Sequence, residues 1–180
     1  MDPDADLVAR AAAGDRASFA AVLERHYERM HRIAWRLTGS VHDAEDIVQD
    51  VCCALVGRIR FFRGEARFAT WLIGIVINAC RDHRRRAGAF GRMRERLTVV
   101  VGLGPSPDGR DLFRATWLAS EIARLSPDVR AAVVLVAGEG LSHAEAAKIL
   151  GCAESTVSWR LHEARKRLKA EAVDEVLDVR

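Results

Sequence analysis

The sequence predicts an all-α protein made of two small helical domains joined by a flexible linker. Apolar residues recur three and four positions apart along most of the 180 residues, whereas few runs alternate apolar and polar residues as strands do. Nearly half of the residues are hydrophobic, which is enough to bury a core in each domain. Residues 87–113 contain five glycines, Pro105 and Pro107 and show little periodicity, so we expect this linker between domains over residues 1–86 and 114–180.

The first domain is expected to contain four helices, over residues 6–13, 18–37, 41–59 and 68–86. Gly14 and Gly39 are suited to end the first two helices, because glycine adopts the left-handed conformation that often follows a helix. A break in the apolar pattern at residues 61–66 separates the last two helices. The apolar residues of the three longer helices predict the core: Phe19, Val22, Leu23, Tyr27, Met30, Ile33, Ala34, Leu37, Ala44, Ile47, Val48, Val51, Leu55, Trp71, Leu72, Ile75, Val76 and Ala79.

The second domain is expected to begin with helices over residues 115–125 and 129–137. Ser126 and Pro127 mark the start of the second of these helices, because serine is a good cap and proline suits the first helical position. Residues 140–169 then predict a helix, a tight turn and another helix.

The helix-turn-helix pattern of residues 140–169 has clear boundaries. Ser142 and Glu145 form a capping box at its start, and Gly151 suits the turn between the helices. The predicted apolar positions of the two helices are Ala144, Ala147, Ile149, Leu150, Val157, Leu161, Ala164 and Leu168. This spacing turns Arg165, Lys166 and Lys169 of the second helix outward, as in a helix that enters the DNA major groove.

The charges are distributed unevenly along the chain, although the net charge is only +3. Residues 81–96 contain seven arginines against Asp82 and Glu95, whereas residues 37–50 contain four acidic residues and no Lys or Arg. One acidic patch and two basic patches predict two kinds of partner, because each charged surface attracts the opposite charge.

The sequence contains no recognisable export or membrane signal. The first residues, MDPDAD, are acidic where a signal peptide is positive, and the longest apolar run, residues 71–79, is too short to cross a bilayer. We therefore expect a cytoplasmic protein without membrane insertion. The four cysteines, Cys52, Cys53, Cys80 and Cys152, lack CxxC spacing and are expected to be free thiols that pack in the protein. His83 lies three residues after Cys80, but we expect no metal, cofactor or redox role for this pair or for the other cysteines.

Three stretches, in family order and spacing, resemble the extracytoplasmic-function sigma factors of bacterial RNA polymerase, the smallest members of the sigma-70 family. AEDIVQDV (Ala44–Val51) resembles the helix that docks on the polymerase beta-prime clamp. FRGEARFATWLIGIVINACRDHRRR (Phe62–Arg86) resembles the promoter-melting and minus-10 segment. The stretch LSPDVRAAVVLVAGEGLSHAEAAKILGCAESTVSWRLHEARKRLK (Leu125–Lys169) resembles the minus-35-binding domain.

This resemblance implies an alternative sigma factor, not an enzyme, that directs promoter recognition and transcription initiation. Its implied partners are RNA polymerase core, at the beta-prime clamp and beta flap, promoter DNA and an anti-sigma factor, in the setting of a stress response. It also implies three groups of binding residues: for core polymerase, Asp46, Gln49 and Asp50; for the minus-10 element, Arg63, Gly64, Glu65, Ala66, Asn78, Arg81, Arg84 and Arg85; for the minus-35 element, Ser155, Thr156, Ser158, Trp159, Arg160, His162, Arg165 and Lys166.

The sequence departs from the family pattern at a few positions. Gly74 lies where an arginine is common, and Ser158 and Trp159 lie where a cation and a small residue are usual. Phe68 and Trp71 could stack on an extruded base, but their helical spacing favours a place in the core.

Two other function classes compete with the sigma-factor interpretation. A stand-alone helix-turn-helix regulator, with an N-terminal sensing or dimerisation domain, would bind duplex DNA without needing an acidic polymerase-binding surface. An enzyme is not supported, because the sequence has no Gly-rich phosphate loop, nucleophile elbow or HExxH motif.

Overall fold

The computed structural model describes the backbone of residues 2–94 and 118–178 and the side chains of residues 2–88 and 118–170. The chain divides into two compact units, Met1–Glu95 and Arg96–Arg180. Within the described residues the secondary structure is helical and no strand is found, which confirms the predicted fold class. Residues 95–113 of the predicted linker lie outside the described residues, so the predicted domain boundaries stay a prediction.

The described part of the first unit consists of α1 (Ala5–Ala12), α2 (Arg16–Thr38), α3 (Val41–Arg58), a 3₁₀ turn (Ile59–Phe61) and α4 (Phe68–Arg94). Gly39, with φ of +74°, ends α2, and the Ser40 hydroxyl starts α3 by accepting the N–H of Asp43. Helix α4 continues beyond the predicted end at Arg86. Gly88, with φ of +56°, interrupts its helical backbone in the left-handed region that favours glycine.

The core of the first unit lies between α2, α3 and α4. Most of the predicted apolar positions are buried there: Val22, Met30, Ile33, Ala34, Ala44, Ile47, Val48, Val51, Leu55, Leu72, Ile75 and Val76. The prediction for Tyr27 is wrong, because its side chain is 42% exposed and stacks on the ring of His31. His26 takes the core position instead, since it lies four residues from both Val22 and Met30 and so shares their face of α2.

A polar cluster joins the start of the chain to α2 and α4. The buried Asp4 carboxylate accepts a hydrogen bond from Arg25 Nη1 at 2.5 Å, and its second oxygen lies 3.0 Å from His26 Nε2. The Asp2 carboxylate accepts the backbone N–H of Phe68 at 2.6 Å. The Asp2 contact holds the first turn of α4, where the preceding loop ends.

The described part of the second unit begins with helix α5, seen over residues 118–124. It continues with α6 (Pro127–Val133), a π-helical turn (Val134–Gly138), α7 (His143–Leu150) and α8 (Glu154–Asp178). Residues 115–117 of the first predicted helix lie outside the described residues. Helix α6 begins at Pro127, the residue expected at its first position, and the predicted range 129–137 is π-helical rather than α-helical from Val134 onward.

The core of the second unit is formed by the buried faces of α5 to α8. Leu125 and Val129 pack with Ala164 of α8, and the predicted stripe of α8 is buried at Val157 and Leu161. On α7 the buried residues are Ala146, Ala147 and Leu150. The predicted position Ala144 is exposed, because Ala146 and Leu150, four residues apart, define the buried face of this helix.

A buried arginine completes the end of α5. Arg130 is only 5% exposed, and its Nη2 donates hydrogen bonds to the backbone oxygens of Ala123 and Leu125. These carbonyls lie at the end of a helix, where no further turn supplies an N–H, so the guanidinium provides the missing donors. No described helix of either unit combines the length and apolar character that a membrane crossing requires.

Candidate functional site

The acidic surface of the first unit lies on the outer face of α3. Asp46, Gln49 and Asp50 are exposed at spacings of three and four residues, so they share one side of the helix, while Ile47 and Val48 point into the core. Nε2 of His42, one turn earlier on the same helix, lies 3.9 Å from an Asp46 carboxylate oxygen. The predicted core-binding residues are therefore brought together on an accessible acidic face.

A polar contact joins α3 to α4 at the surface. Nε2 of His83 lies 3.7 Å from the Asp43 carboxylate, and both side chains are about one-third exposed. His83 therefore faces an acidic residue, while neighbouring Cys80 is buried and burial raises the pKa of its thiol to about 12. The described residues contain no group of three or more side chains with the types and spacing of a metal site.

The loop before α4 extends into solvent. Arg63 and Glu65 are 83% and 78% exposed in their side chains, with the guanidinium 3.9 Å from the carboxylate. Gly64 between them has φ of +71°, a backbone conformation that glycine adopts without strain. Ala66 is exposed as well, so all four predicted loop residues are available to a ligand.

The polar residues of α4 continue away from this loop. Asn78 is exposed, Arg81 is half-buried, and Arg84 and Arg85 are exposed. Asn78, Arg81 and Arg85 are spaced three and four residues apart and therefore lie along one face. Arg85 also pairs with Asp82 on the same helix, at 2.6 Å.

The aromatic residues near this surface differ in accessibility. Phe68 is fully buried and packs against Phe62 and Trp71 with ring centroids 5.4 and 5.6 Å apart, which confirms its predicted place in the core. Trp71 is half-buried. Phe61 is 64% exposed, and the Arg60 guanidinium lies over its ring, 4.9 Å from the centroid. Of these four aromatic residues, Phe61 presents the most open ring.

The helix-turn-helix of the second unit has the predicted capping geometry. The Ser142 hydroxyl accepts the Glu145 N–H at 3.2 Å, and the Ser142 N–H donates to the Glu145 carboxylate at 2.9 Å. Gly151 ends α7 with φ of +65°, in the left-handed region. The predicted capping box and turn are confirmed.

The outer face of α8 carries most of the predicted minus-35 residues. The exposed members are Ser155, Ser158, Trp159, His162, Arg165 and Lys166, and Thr156 is half-buried. The Trp159 side chain is 61% exposed, an unusual position for so large an apolar group. These residues form one continuous surface along the first four turns of the helix.

Arg160 differs from the other cations of this helix, because it faces α6. Its side chain is only 14% exposed, with Nη2 3.4 Å from the Asp128 carboxylate and Nη1 3.7 Å from Cys152 Sγ. The sequence contained a signal for this placement: position 160 lies three residues after Val157 and four before Ala164, on the inner side of α8.

A second contact inside the motif joins α7 to α8. His143 Nδ1 lies 2.9 Å from the Ser158 hydroxyl, which itself donates to the backbone oxygen of Glu154 at 3.2 Å. The Ser158 hydroxyl is therefore held between the imidazole of His143 and the backbone oxygen of Glu154. Sequence reasoning missed this pair, because a contact across fifteen residues leaves no mark in the local pattern.

Two protein families match the chain, one in each unit. Sigma-70 region 2 matches residues 22–90, and sigma-70 region 4 matches residues 115–168. The chain is 36% identical over 166 residues to the ECF RNA polymerase sigma factor SigM of Mycobacterium tuberculosis (strain ATCC 25618 / H37Rv), covering 92% of this chain and 82% of SigM. It is 27% identical over 172 residues to SigW of Bacillus subtilis (strain 168), covering 89% and 92% of the two chains.

Solved structures of sigma factors are similar across most of the chain. CnrH, solved in complex with the cytosolic domain of CnrY, is 29% identical with a TM-score of 0.69, covering 95% of this chain and 97% of CnrH. The sigma factor RpoE of Bartonella quintana, solved with the anti-sigma factor NepR, is 26% identical with a TM-score of 0.67, covering 84% and 94%. The chain therefore belongs to the extracytoplasmic-function sigma factors of the sigma-70 family.

Proposed function

We propose that this sigma factor binds RNA polymerase core through the acidic face of α3, with Asp46, Gln49 and Asp50 as the contact residues. As a family member, the protein directs promoter recognition and transcription initiation. The observation that carries the proposal is the accessible acidic face itself, since exposed carboxylates beside an amide form charge-assisted hydrogen bonds with a basic partner. The alternative of a stand-alone helix-turn-helix regulator required an N-terminal sensing or dimerisation domain. The first unit instead matches sigma-70 region 2, so this alternative is not supported.

The exposed loop Arg63–Ala66 and the polar face of α4 are proposed to hold the minus-10 strand after the duplex opens. Asn78 offers both a donor and an acceptor to the edge of an extruded base, and Phe61 offers an open ring for stacking. Arg81, Arg84 and Arg85 contribute phosphate contacts, which position the strand without reading its sequence.

The outer face of α8 is proposed to enter the major groove of the minus-35 element. Arg165 and Lys166 contact phosphate, while Ser155 and Trp159 approach base edges. Arg160 acts here as a positioning residue that fixes the angle of α8 against α6. This role differs from the direct minus-35 contact that the family resemblance implies for Arg160.

An anti-sigma protein is proposed as a further partner. CnrH and the Bartonella quintana RpoE were both solved with a second protein bound, CnrY in one case and NepR in the other. We also propose that the protein acts in the cytoplasm, where RNA polymerase works, and that it has no enzymatic activity of its own.

The core-binding proposal is tested by titrating polymerase core with the Asp46→Arg and Gln49→Ala variants. Both variants should bind core more weakly, with the charge reversal losing at least tenfold in affinity, because like charges then face each other. Glu24→Arg, a charge reversal at an exposed position of α2, is the matched control and should bind normally. Equal core affinity of Asp46→Arg and Glu24→Arg would contradict the assignment.

The minus-10 proposal is tested by permanganate footprinting of melted thymines in the assembled holoenzyme. Asn78→Ala should reduce melting more than it reduces initial binding to duplex promoter. Because Asn78 is exposed, its replacement by alanine should leave the fold intact, so a melting defect would reflect a lost contact with the strand. Equal melting by the wild type and Asn78→Ala would remove Asn78 from the strand-binding surface.

A further inference from the structure

We infer that Trp159 makes α8 a reader of a thymine methyl group, so that the minus-35 preference of this protein depends on an apolar contact. The inference rests on the proposed entry of α8 into the major groove. It concerns specificity within that site: which chemical feature of the base edges the helix recognises.

The first step is the position of the cations on α8. In a helix-turn-helix the residues near the start of the second helix reach the base edges. Between Glu154 and His162 the sequence has a single Lys or Arg, and that residue, Arg160, is 14% exposed and faces Asp128. The next cation, Arg165, lies eleven residues after Glu154, about 16 Å along the helix axis. The base-facing turns therefore present no accessible guanidinium for a two-bond contact with guanine.

The second step is the chemistry that these turns do present. Trp159 is 61% exposed, with Ser155 four residues before it and His162 three residues after it on the same face. The hydroxyl of Ser158, the immediate neighbour, is already held by His143 and the Glu154 carbonyl. The indole is thus the largest group on this part of the surface, surrounded by short polar side chains.

The third step is the match between this surface and the major groove. Among the four base-pair arrangements, thymine alone places a methyl group in that groove, and apolar side chains recognise it. An exposed indole gains most by covering apolar surface, whereas its one N–H donor is a weak basis for recognising a base by itself. The geometry therefore favours a thymine methyl as the group that Trp159 covers.

The test replaces single thymines of the minus-35 element by deoxyuracil, which removes the methyl group and leaves every hydrogen-bonding atom. The element is first selected from a promoter library by run-off transcription with the wild-type holoenzyme. At one or two positions the replacement should weaken wild-type binding about 3- to 10-fold, the effect of losing one buried methyl group. Trp159→Ala should bind the thymine promoter more weakly and show no further loss with deoxyuracil, and Trp159→Phe should keep part of the sensitivity.

Lys166→Ala is the matched control from the same exposed face. It should weaken binding to all promoters alike, reduce the slope of log affinity against log salt by about one, and keep the full deoxyuracil penalty. The inference is overturned if wild-type binding depends on the minus-35 sequence without any deoxyuracil penalty, or if Trp159→Ala retains that penalty. It is also overturned if Trp159→Ala lowers the affinity for core polymerase and leaves the affinity for the promoter unchanged. A wild-type holoenzyme indifferent to the minus-35 element would instead contradict the proposed role of α8.

Discussion

Arg160 and Asp128 provide a direct test of how α8 is held in place. The Arg160 guanidinium lies 3.4 Å from the Asp128 carboxylate and 3.7 Å from Cys152 Sγ, so it joins α8 to α6 and to the turn before α8. Replacing either member of the ion pair by alanine, and then both together, forms a double-mutant cycle. If Arg160 orients the helix, the free energy of unfolding and DNA affinity should change together in this series.

The expected energies follow from the exposure of the two partners. Asp128 is 57% exposed in its side chain, so solvent screens the pair and the coupling should be about 0.5–1 kcal/mol. Arg160→Ala should cost more in total, about 1–2 kcal/mol, because the largely buried side chain also loses its packing. Asp128→Ala should cost about 1 kcal/mol, since this residue is also the acidic group of the first turn of α6.

The assay combines urea unfolding of the four proteins with binding to a minus-35 duplex at several salt concentrations. Asp128→Ala should weaken DNA binding although it removes a negative charge, because α8 loses part of its support. Arg165→Ala serves as the control: it should leave the free energy of unfolding within about 0.5 kcal/mol and reduce the salt dependence of binding. If the cycle has no coupling energy and Arg160→Ala alone relaxes the preference at one base pair, Arg160 reads a base and the positioning role is wrong.

Three further predictions concern the fold and the thiols. Asp4→Ala should lower the free energy of unfolding by about 2–3 kcal/mol in urea titrations, because it removes the buried carboxylate that partners two side chains of α2, and a neutral result would contradict that role. The Ser18 hydroxyl holds the pKa of the Asp15 carboxyl, the N-cap of α2, below its ordinary value of 3.8. The ionised carboxylate therefore stabilises the protein above pH 3.8, and the difference in free energy of unfolding between the wild type and Asp15→Ala should shrink as the pH falls through the lowered pKa. In mass spectrometry after alkylation at pH 8, the exposed Cys53 should react, whereas Cys80 should react only after unfolding, because burial blocks access and raises its pKa to about 12.

The helices and their buried faces could be predicted because both depend on local chemistry. The stripe at Val157, Leu161 and Ala164 repeats at helical spacing, and the capping box at Ser142 satisfies donors within one turn. Such features depend on residues within one or two helical turns, so a short stretch of sequence is enough to predict them. The accessible face of α8 then follows as the side opposite the buried stripe.

The polar contacts across long sequence separations could not be predicted in the same way. Asp4 meets His26 across 22 residues, and Arg160 meets Asp128 across 32. The spacing of apolar residues predicts which side of a helix is buried, but it does not predict which charged group of the neighbouring helix lies opposite. For Arg160 the position on the inner side of α8 is visible in the sequence, whereas the family resemblance implies a DNA contact.

The arrangement of α8 separates the forces that give affinity from those that give specificity. Arg160 contributes its charge to the link with α6, and Ser158 contributes its hydroxyl to the link with α7, so neither is fully available to DNA. If α8 enters the major groove as proposed, the exposed cations Arg165 and Lys166 lie beyond the turns that reach the bases and neutralise phosphate whatever the sequence. On the inferred role of Trp159, sequence discrimination depends on the indole and the small polar groups around it. Changes in the later turns should therefore alter the salt dependence of promoter binding, and changes near Trp159 should alter which promoters are chosen.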